Sequence, residues 1–189
     1  MGDPRALTAD SWSIGKGITM SVLHNPLRTH VHVTGEEPLS VPPHWHLSHE
    51  EQHVVLKGRI RITQDGVARV VGPADGKILT RPGVVHSIES FAGEETIIEE
   101  TAGPGEDINA QKVIFFRNMF APGVLQSFLS TMQIFYYGDG YPALPLGIRR
   151  FEWLLVVVMG GWVAGLLGYQ IPDKRLRLDQ RRFPPKKQD

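Results

Sequence analysis

The feature that most constrains this chain is the run Pro42-Pro43-His44-Trp45-His46-Leu47-Ser48-His49-Glu50-Glu51-Gln52-His53-Val54-Val55-Leu56-Lys57-Gly58. Four of its eight histidines and two adjacent carboxylates fall between His44 and His53. Side chains alternate between the faces of a strand, so His44 and His46 share one face and Trp45 takes the other, where it packs. Ser48 and His49 then make a polar turn, and on the returning strand Glu51, His53 and Val55 share a face. Two imidazoles and a carboxylate brought to one point are donors for a divalent metal. Further along, Arg81-Pro82-Gly83-Val84-Val85-His86-Ser87 sets another imidazole after a Pro-Gly turn, and His86 is the natural fourth ligand. Glu50 is the rival carboxylate and is expected on the opposite side of the strand.

The pattern His-x-His-x4-Glu-x6-Gly, followed by Pro-Gly-x-x-His, resembles the two motifs of the cupin family, small antiparallel β-barrels of the jelly-roll kind. The resemblance covers residues 18 to 101. It implies His44, His46 and Glu51 as metal ligands from the first motif and His86 from the second, with Gly58 at the turn that closes the first. Two turn positions depart from the family: Pro38 replaces its opening Gly, and Arg81 replaces the first Pro of the second motif. Barrels of this family often pair, so the resemblance also implies a homodimer.

Strand spacing points the same way without the motifs. Ile18–Leu23, Thr29–Val33, Val54–Leu56, Ile60–Thr63, Val67–Val71, Ile78–Thr80, Ser87–Phe91 and Thr96–Thr101 read as strands between Gly, Pro and Asn turns. Lys57-Gly58 reads as a tight hairpin between two of them. Short strands so spaced make an all-β barrel or a sandwich, which spacing alone does not separate. His30 and His32 form another His-x-His pair but have no carboxylate at ligand spacing, and they are expected to face solvent or stand behind the ligands. The expected fold is therefore mainly β, a cupin-type antiparallel jelly-roll barrel followed by C-terminal helices, one of them transmembrane. Its divisions are an N-terminal arm (1–17), the barrel (18–103), a helical, membrane-associated extension (104–171) and a basic tail (172–189).

The membrane expectation rests on Trp153–Ile171, which has no charged side chain. A helix of that length spans roughly 28 Å, near the thickness of a bilayer core. Arg149 and Arg150 precede it, Trp153 and Tyr169 suit interfacial belts, and Gly161-x3-Gly165 suits close helix packing. The competing reading is a helix buried against protein, the glycines permitting contact. Asn118–Gly138 also lacks charge and is a candidate for a second, weaker membrane helix; an interfacial pair that never crosses is the other solution. The N-terminus has no apolar signal-peptide region, and Ala6 stands where a myristoylation signal needs Ser or Thr. The basic tail predicts a cytosolic C-terminus. Lys186-Lys187-Gln188-Asp189 looks like a dilysine retrieval signal, which gives a membrane-associated, endoplasmic-reticulum location with the barrel cytosolic; a solvated charge run is the plainer explanation.

Composition narrows the chemistry. Twenty basic residues balance 20 acidic ones, so no electrostatic footprint for nucleic acid exists. There is no cysteine, which excludes disulfides, thiolate ligands and a Cys nucleophile. Three imidazoles and a carboxylate suit Fe(II), Mn, Ni, Cu or Zn without choosing among them, and leave two positions open on a six-coordinate ion. Glu51 could also act as a base, and His53 is either a donor behind the ligands that carries protons or a satisfied core histidine. The expected activity is that of an oxidoreductase or dioxygenase on a small lipophilic substrate. A barrel with an apolar C-terminal extension is similar to the cupin oxidoreductases of fungal secondary metabolism. A redox-neutral isomerase, cyclase or decarboxylase, and a membrane-tethered cupin that binds without turnover, are the alternatives.

Overall fold

The structure is a computed structural model and describes residues 2–179; Arg181, Arg182 and the Lys186-Lys187 pair lie outside the described residues. Among the described residues eleven strands form two antiparallel sheets. The first contains β1 (Ser11–Gly15), β2 (Ile18–His24), β3 (Leu27–Val33), β5 (Glu50–Lys57), β8 (Lys77–Thr80) and β10 (Thr96–Gly103), in the order β1-β2-β3-β10-β5-β8. The second contains β4 (Ser40–Trp45), β6 (Ile60–Gln64), β7 (Val67–Val71), β9 (His86–Ser90) and β11 (Tyr141–Pro142), in the order β11-β4-β9-β6-β7. Strand alternation sends Val31 and Val33 of β3, Val55 of β5, Ile60 and Ile62 of β6, Ile88 of β9 and Ile98 of β10 inward. Fully burying each such side chain stabilises by about 1.5–3 kcal/mol.

The composition of that inward face changes along β5. Val55 belongs to an apolar cluster with Ile60, Ile62, Val71, Ile78, Ile88 and Ile98, which fills one end of the barrel. Two and four residues earlier on the same face stand His53 and Glu51, both buried. Polar side chains are thus gathered at the other end, against which the C-terminal helices pack.

Two local expectations are corrected. The arm, given no strand from the sequence, contains one: Ser11–Gly15 pairs with β2, and Trp12 is buried, with Arg117 resting over its ring at 5.2 Å. Lys57-Gly58 is not a hairpin, because β5 pairs with β8 and β10 whereas β6 pairs with β7 and β9. The chain crosses there from one sheet to the other, as a jelly roll requires. Gly58 has φ +71°, and a Cβ on it would collide with the Glu95 carbonyl, so glycine meets both a backbone and a space requirement.

Beyond Gly103, helix α1 (Glu106–Met119) carries Glu106 and Asp107 in its first turn, where their charge suits the helix dipole. Helix α2 (Phe128–Tyr137) begins past Pro122, with the Ser127 hydroxyl accepting from the Ser130 amide as its N-cap. The expected membrane helix is helical but no span. Helix α3 (Arg149–Val156) runs into a π-helical stretch, Val157–Val163, and then a short α4 (Ala164–Leu166). Among the described residues no helix is long and apolar enough to cross a membrane.

Val156, Gly160 and Ala164, four residues apart, are buried. A Cβ on Gly160 would collide with the Met132 carbonyl of α2, and one on Gly161 would come within 2.6 Å of the Tyr136 ring. Gly165 faces open space. Two neighbouring glycines therefore serve contact between helices, while Trp162 and Leu166 point outward, 65% and 86% exposed. The Asn118–Gly138 segment likewise divides between the end of α1, a loop and the ten-residue α2.

The extension is joined to the barrel by β11, which pairs Tyr141 with Trp45 and Pro142 with His44. Trp45 stacks on Tyr141 at 4.4 Å and donates its indole N–H to buried Glu152 of α3 at 2.8 Å. Glu152 also accepts the Leu144 amide at 2.7 Å. A Glu152→Gln substitution turns an amide N–H towards one of these two donors. It is expected to cost about 1–3 kcal/mol in urea denaturation, the penalty of one buried unmatched polar group.

Candidate metal centre

β4 and β9 are neighbours, and their register sets His44 opposite His86. β5 brings Glu51 up from the facing sheet. The result gathers one donor atom from each of His44, His46, Glu51 and His86 within 4.8 Å of one another. His46 Nε2 lies 2.9 Å from Glu51 Oε1, and His86 Nε2 lies 2.8 Å from Glu51 Oε2. His46, Glu51 and His86 are buried, and His44 is partly so. Glu50 faces away, accepting from Gln52 Nε2 at 3.1 Å, so the alternation that distinguished the two carboxylates is the one observed. His32 is paired at the surface with Glu95 at 3.0 Å, away from this centre.

The tautomers follow from what each ring meets. Nδ1 of His44 faces the Pro42 carbonyl at 2.8 Å, Nδ1 of His46 the Asp139 carbonyl at 2.8 Å, and Nδ1 of His86 the Val84 carbonyl at 3.2 Å. A carbonyl only accepts, so each Nδ1 carries the proton and each Nε2 is turned inward. Burial, with the neighbouring His86 and His46, holds the His44 imidazole well below its usual pKa. Burial likewise lowers His46 to about 4, against the pull of Glu51. A neutral His46 protonated at Nδ1 has a lone pair at Nε2. That atom is buried and makes no hydrogen bond, although a carboxylate oxygen is 2.9 Å away. Two electron pairs facing each other repel, and a cation shared between them removes the repulsion. The donor set therefore fits a divalent metal, and these residues could hold one.

Three other side chains enter the centre, Lys112 from outside the motifs and His53 and His49 from positions within the first that are not its ligands. Lys112 of α1 reaches in from the helix side, contacting Glu51 Oε1 and lying 3.4 Å from Glu100 Oε1. Burial works against its charge, but the two carboxylates outweigh burial and raise its pKa. Burial alone would also raise Glu51; the Lys112 ammonium in contact with Oε1 opposes it, and the carboxylate lies well below its usual range. His53 stands 3.5 Å from Glu100 Oε2, inward and beside Glu51 on the same strand face as expected. Burial opposes its charged form, and the hydrogen bond and charge of Glu100 reverse the balance and raise its pKa.

The third is His49, read from the sequence as part of a turn. It is fully buried, its ring 4.2 Å from that of His46 and its Nδ1 2.8 Å from Asp139 Oδ2. Burial, then Lys112, lowers its pKa to about 3. Its Nε2 has no hydrogen-bond partner and lies 4.0 Å from Glu51 Oε1. Lys112, Glu100 and Asp139 carry no local signal of these roles. Only the Gly138-Asp139-Gly140 sequence, an acidic residue between two glycines, hinted at a special turn.

No family model matches the chain. In sequence it is 30% identical over 148 residues to a probable oxidoreductase, PatJ, of Penicillium expansum, a match covering 71% of this chain and 45% of that protein. It is 31% identical over 148 residues to an epoxidase, AtD, of Aspergillus terreus, covering 70% of this chain and 45% of the relative. The chain thus spans about half the length of the curated relatives it matches. Among solved structures, an RmlC-like cupin from Shewanella frigidimarina superposes with a TM-score of 0.40 at 21% identity, covering 53% of this chain and 88% of that one. Both motifs lie on the strands a jelly roll assigns them and their four side chains converge at one end of the barrel, as the cupin resemblance implies, and in sequence the chain is similar to fungal proteins named as oxidoreductases.

Proposed function

We propose that the chain is a metal-dependent oxidoreductase in which His44, His46, Glu51 and His86 hold one divalent transition-metal ion. The observation that carries this reading is the set of three rings anchored through Nδ1 on backbone carbonyls, with their Nε2 atoms turned on one carboxylate. The relatives named as oxidoreductases and as an epoxidase support the reaction class. Three imidazoles and a carboxylate suit Fe(II), Mn, Ni, Cu or Zn. Such an ion supplies Lewis-acid or redox chemistry to a small organic substrate beside it.

The chain's own residues do the rest. Carbonyl anchoring fixes the ring planes before any ligand arrives, so little ordering is left to the moment of binding. Glu51 stays ionised beside the Lys112 ammonium and is ready to accept a cation. His53 stands behind it, with Nε2 3.5 Å from Glu100 Oε2, whose charge favours a proton on the imidazole. The packed helices keep bulk water from this end of the barrel, which strengthens every charge interaction within it.

The test begins with metal analysis of the purified protein, then of His46→Ala and Glu51→Gln. Both variants are expected to lose most of the bound metal. Undiminished stoichiometry in either removes that residue from the ligand set. Fe(II)-loaded protein is then exposed to nitric oxide, a stand-in for O2. The electron paramagnetic resonance signal of a ferrous site that has bound it is the expected result. Metal binding without that signal leaves the redox-neutral reading in its place.

A further inference from the structure

The turn that ends α2 makes more contacts with the first motif than any strand pairing requires. Asp139 is buried, with φ +55°, a left-handed conformation that Asp adopts more readily than most residues. Its carbonyl accepts the Nδ1 proton of His46 at 2.8 Å. Its carboxylate accepts the Leu47 amide at 3.0 Å, the Ser48 amide at 2.7 Å and His49 Nδ1 at 2.8 Å. One residue thus holds four consecutive positions of the motif from about ninety positions away in sequence. The turn is itself fixed: a Cβ on Gly138 would collide with the Phe115 ring, and one on Gly140 would lie 3.0 Å from the Phe135 ring. Asp179 adds a second clamp on the same loop, accepting from Ser48 Oγ and from the Tyr141 hydroxyl, each at 3.2 Å.

We propose that Asp139 is a positioning residue of the metal centre, setting the orientation of His46 and the tautomer of His49 from the C-terminal extension. This rests on the metal reading above. The physical reason is the number of donors presented to it. Two amides and an imidazole N–H point at one carboxylate, and its two oxygens satisfy all three; a neutral amide in its place turns an N–H towards a donor. The same turn places the carbonyl that decides which nitrogen of His46 is free. His49 receives its Nδ1 proton acceptor from the same residue, so its unpartnered Nε2 is kept on the side of Glu51. The extension therefore belongs to the centre, although it contributes no ligand.

The test uses Co(II) alone as the probe, with the full chain. Asp139→Asn and Asp139→Gly both tolerate the left-handed backbone, and Gly keeps the carbonyl that His46 needs. Both keep that carbonyl but lose the carboxylate that holds Leu47, Ser48 and His49, and are expected to bind Co(II) about 10- to 100-fold more weakly, the usual effect of losing a group that supports metal ligands. Both should also change the visible absorption of the bound ion. Val71→Ala loosens the apolar cluster at the opposite end of the barrel and is the control: its Co(II) spectrum is expected to match that of the unaltered chain.

Unaltered affinity and spectrum in folded Asp139→Gly overturn the proposal, as does an equal spectral change in Val71→Ala. If neither Asp139 variant folds, His49→Gln carries the test, because it withdraws a donor from the carboxylate and leaves the turn intact; an unchanged spectrum there counts against the proposal. Failure of the unaltered chain to bind Co(II) sinks the metal reading instead, and so is distinguishable.

Discussion

Replacing Lys112 by methionine is expected to destabilise the metal-free protein by about 3–5 kcal/mol, read as a lower urea midpoint at unchanged slope. The ammonium is buried, contacts Glu51 Oε1 and lies 3.4 Å from Glu100 Oε1. The rings of Phe115 and Phe116 lie 5.0 Å from it. Methionine fills the space of the stem without the charge, so packing is largely kept and two carboxylates lose their shared cation. Removing one partner of a buried ion pair costs far more than the pair itself contributes, because the charge left behind is uncompensated. Divalent metal should recover part of the loss, since a ligand at a hundredfold excess over its Kd stabilises the folded chain by about 2.7 kcal/mol. The recovery should be larger in Lys112→Met, where the ion no longer competes with the ammonium for Glu51. An unchanged midpoint would show that Lys112 is not paired with Glu51 in solution.

A valine at Gly160 is expected to cost about 3 kcal/mol, at the upper end of what overpacking a core costs. The added Cβ meets the backbone carbonyl of Met132, which cannot swing aside as a side chain would. α2 and the π-helical stretch must therefore separate, and Gly161 against the Tyr136 ring leaves no slack beside it. Met132, Tyr141, Val156 and Trp45 form one cluster at this seam, so separation exposes several of them together. Gly165→Ala is the counterpart. It meets nothing within 4 Å, and replacing glycine in a helix should stabilise by up to about 1 kcal/mol. Thermal melts of the two variants should move in opposite directions; a Gly160→Val protein that melts with the unaltered chain would mean the helices do not meet as described.

The four ligand candidates were legible because strand geometry is local. Once His44-Trp45-His46 and Glu51-Gln52-His53 lie on strands, period-two alternation decides which side chains point together. The same rule separated Glu51 from Glu50. Lys57-Gly58 shows where that reasoning ends: a Gly between two strands looks alike whether the strands pair with each other or join different sheets. Only the pairing of β5 with β8 and β10 decided it. Lys112, Glu100 and Asp139 had no local pattern to betray them, because each reaches the centre through packing of α1, β10 or the turn after α2.

The run from Trp153 to Ile171 makes the same point for the extension. Its lack of charge does not separate a helix that packs on protein from one that meets lipid, because the two leave similar marks on composition. Val156, Gly160 and Ala164 face α2, and the π-helical turns set that face. By itself the sequence determined the strands, the two motifs and which neighbouring side chains share a face, since these follow from alternation and turn chemistry within a few residues, while the barrel and the place of His86 in it came from the resemblance that the motifs carry. The tertiary structure alone decided which cation sits against Glu51, which turn orients His46 and His49, and where the apolar helix rests. Those depend on contacts between segments tens of residues apart, whose free energies are collected only when the whole chain is folded.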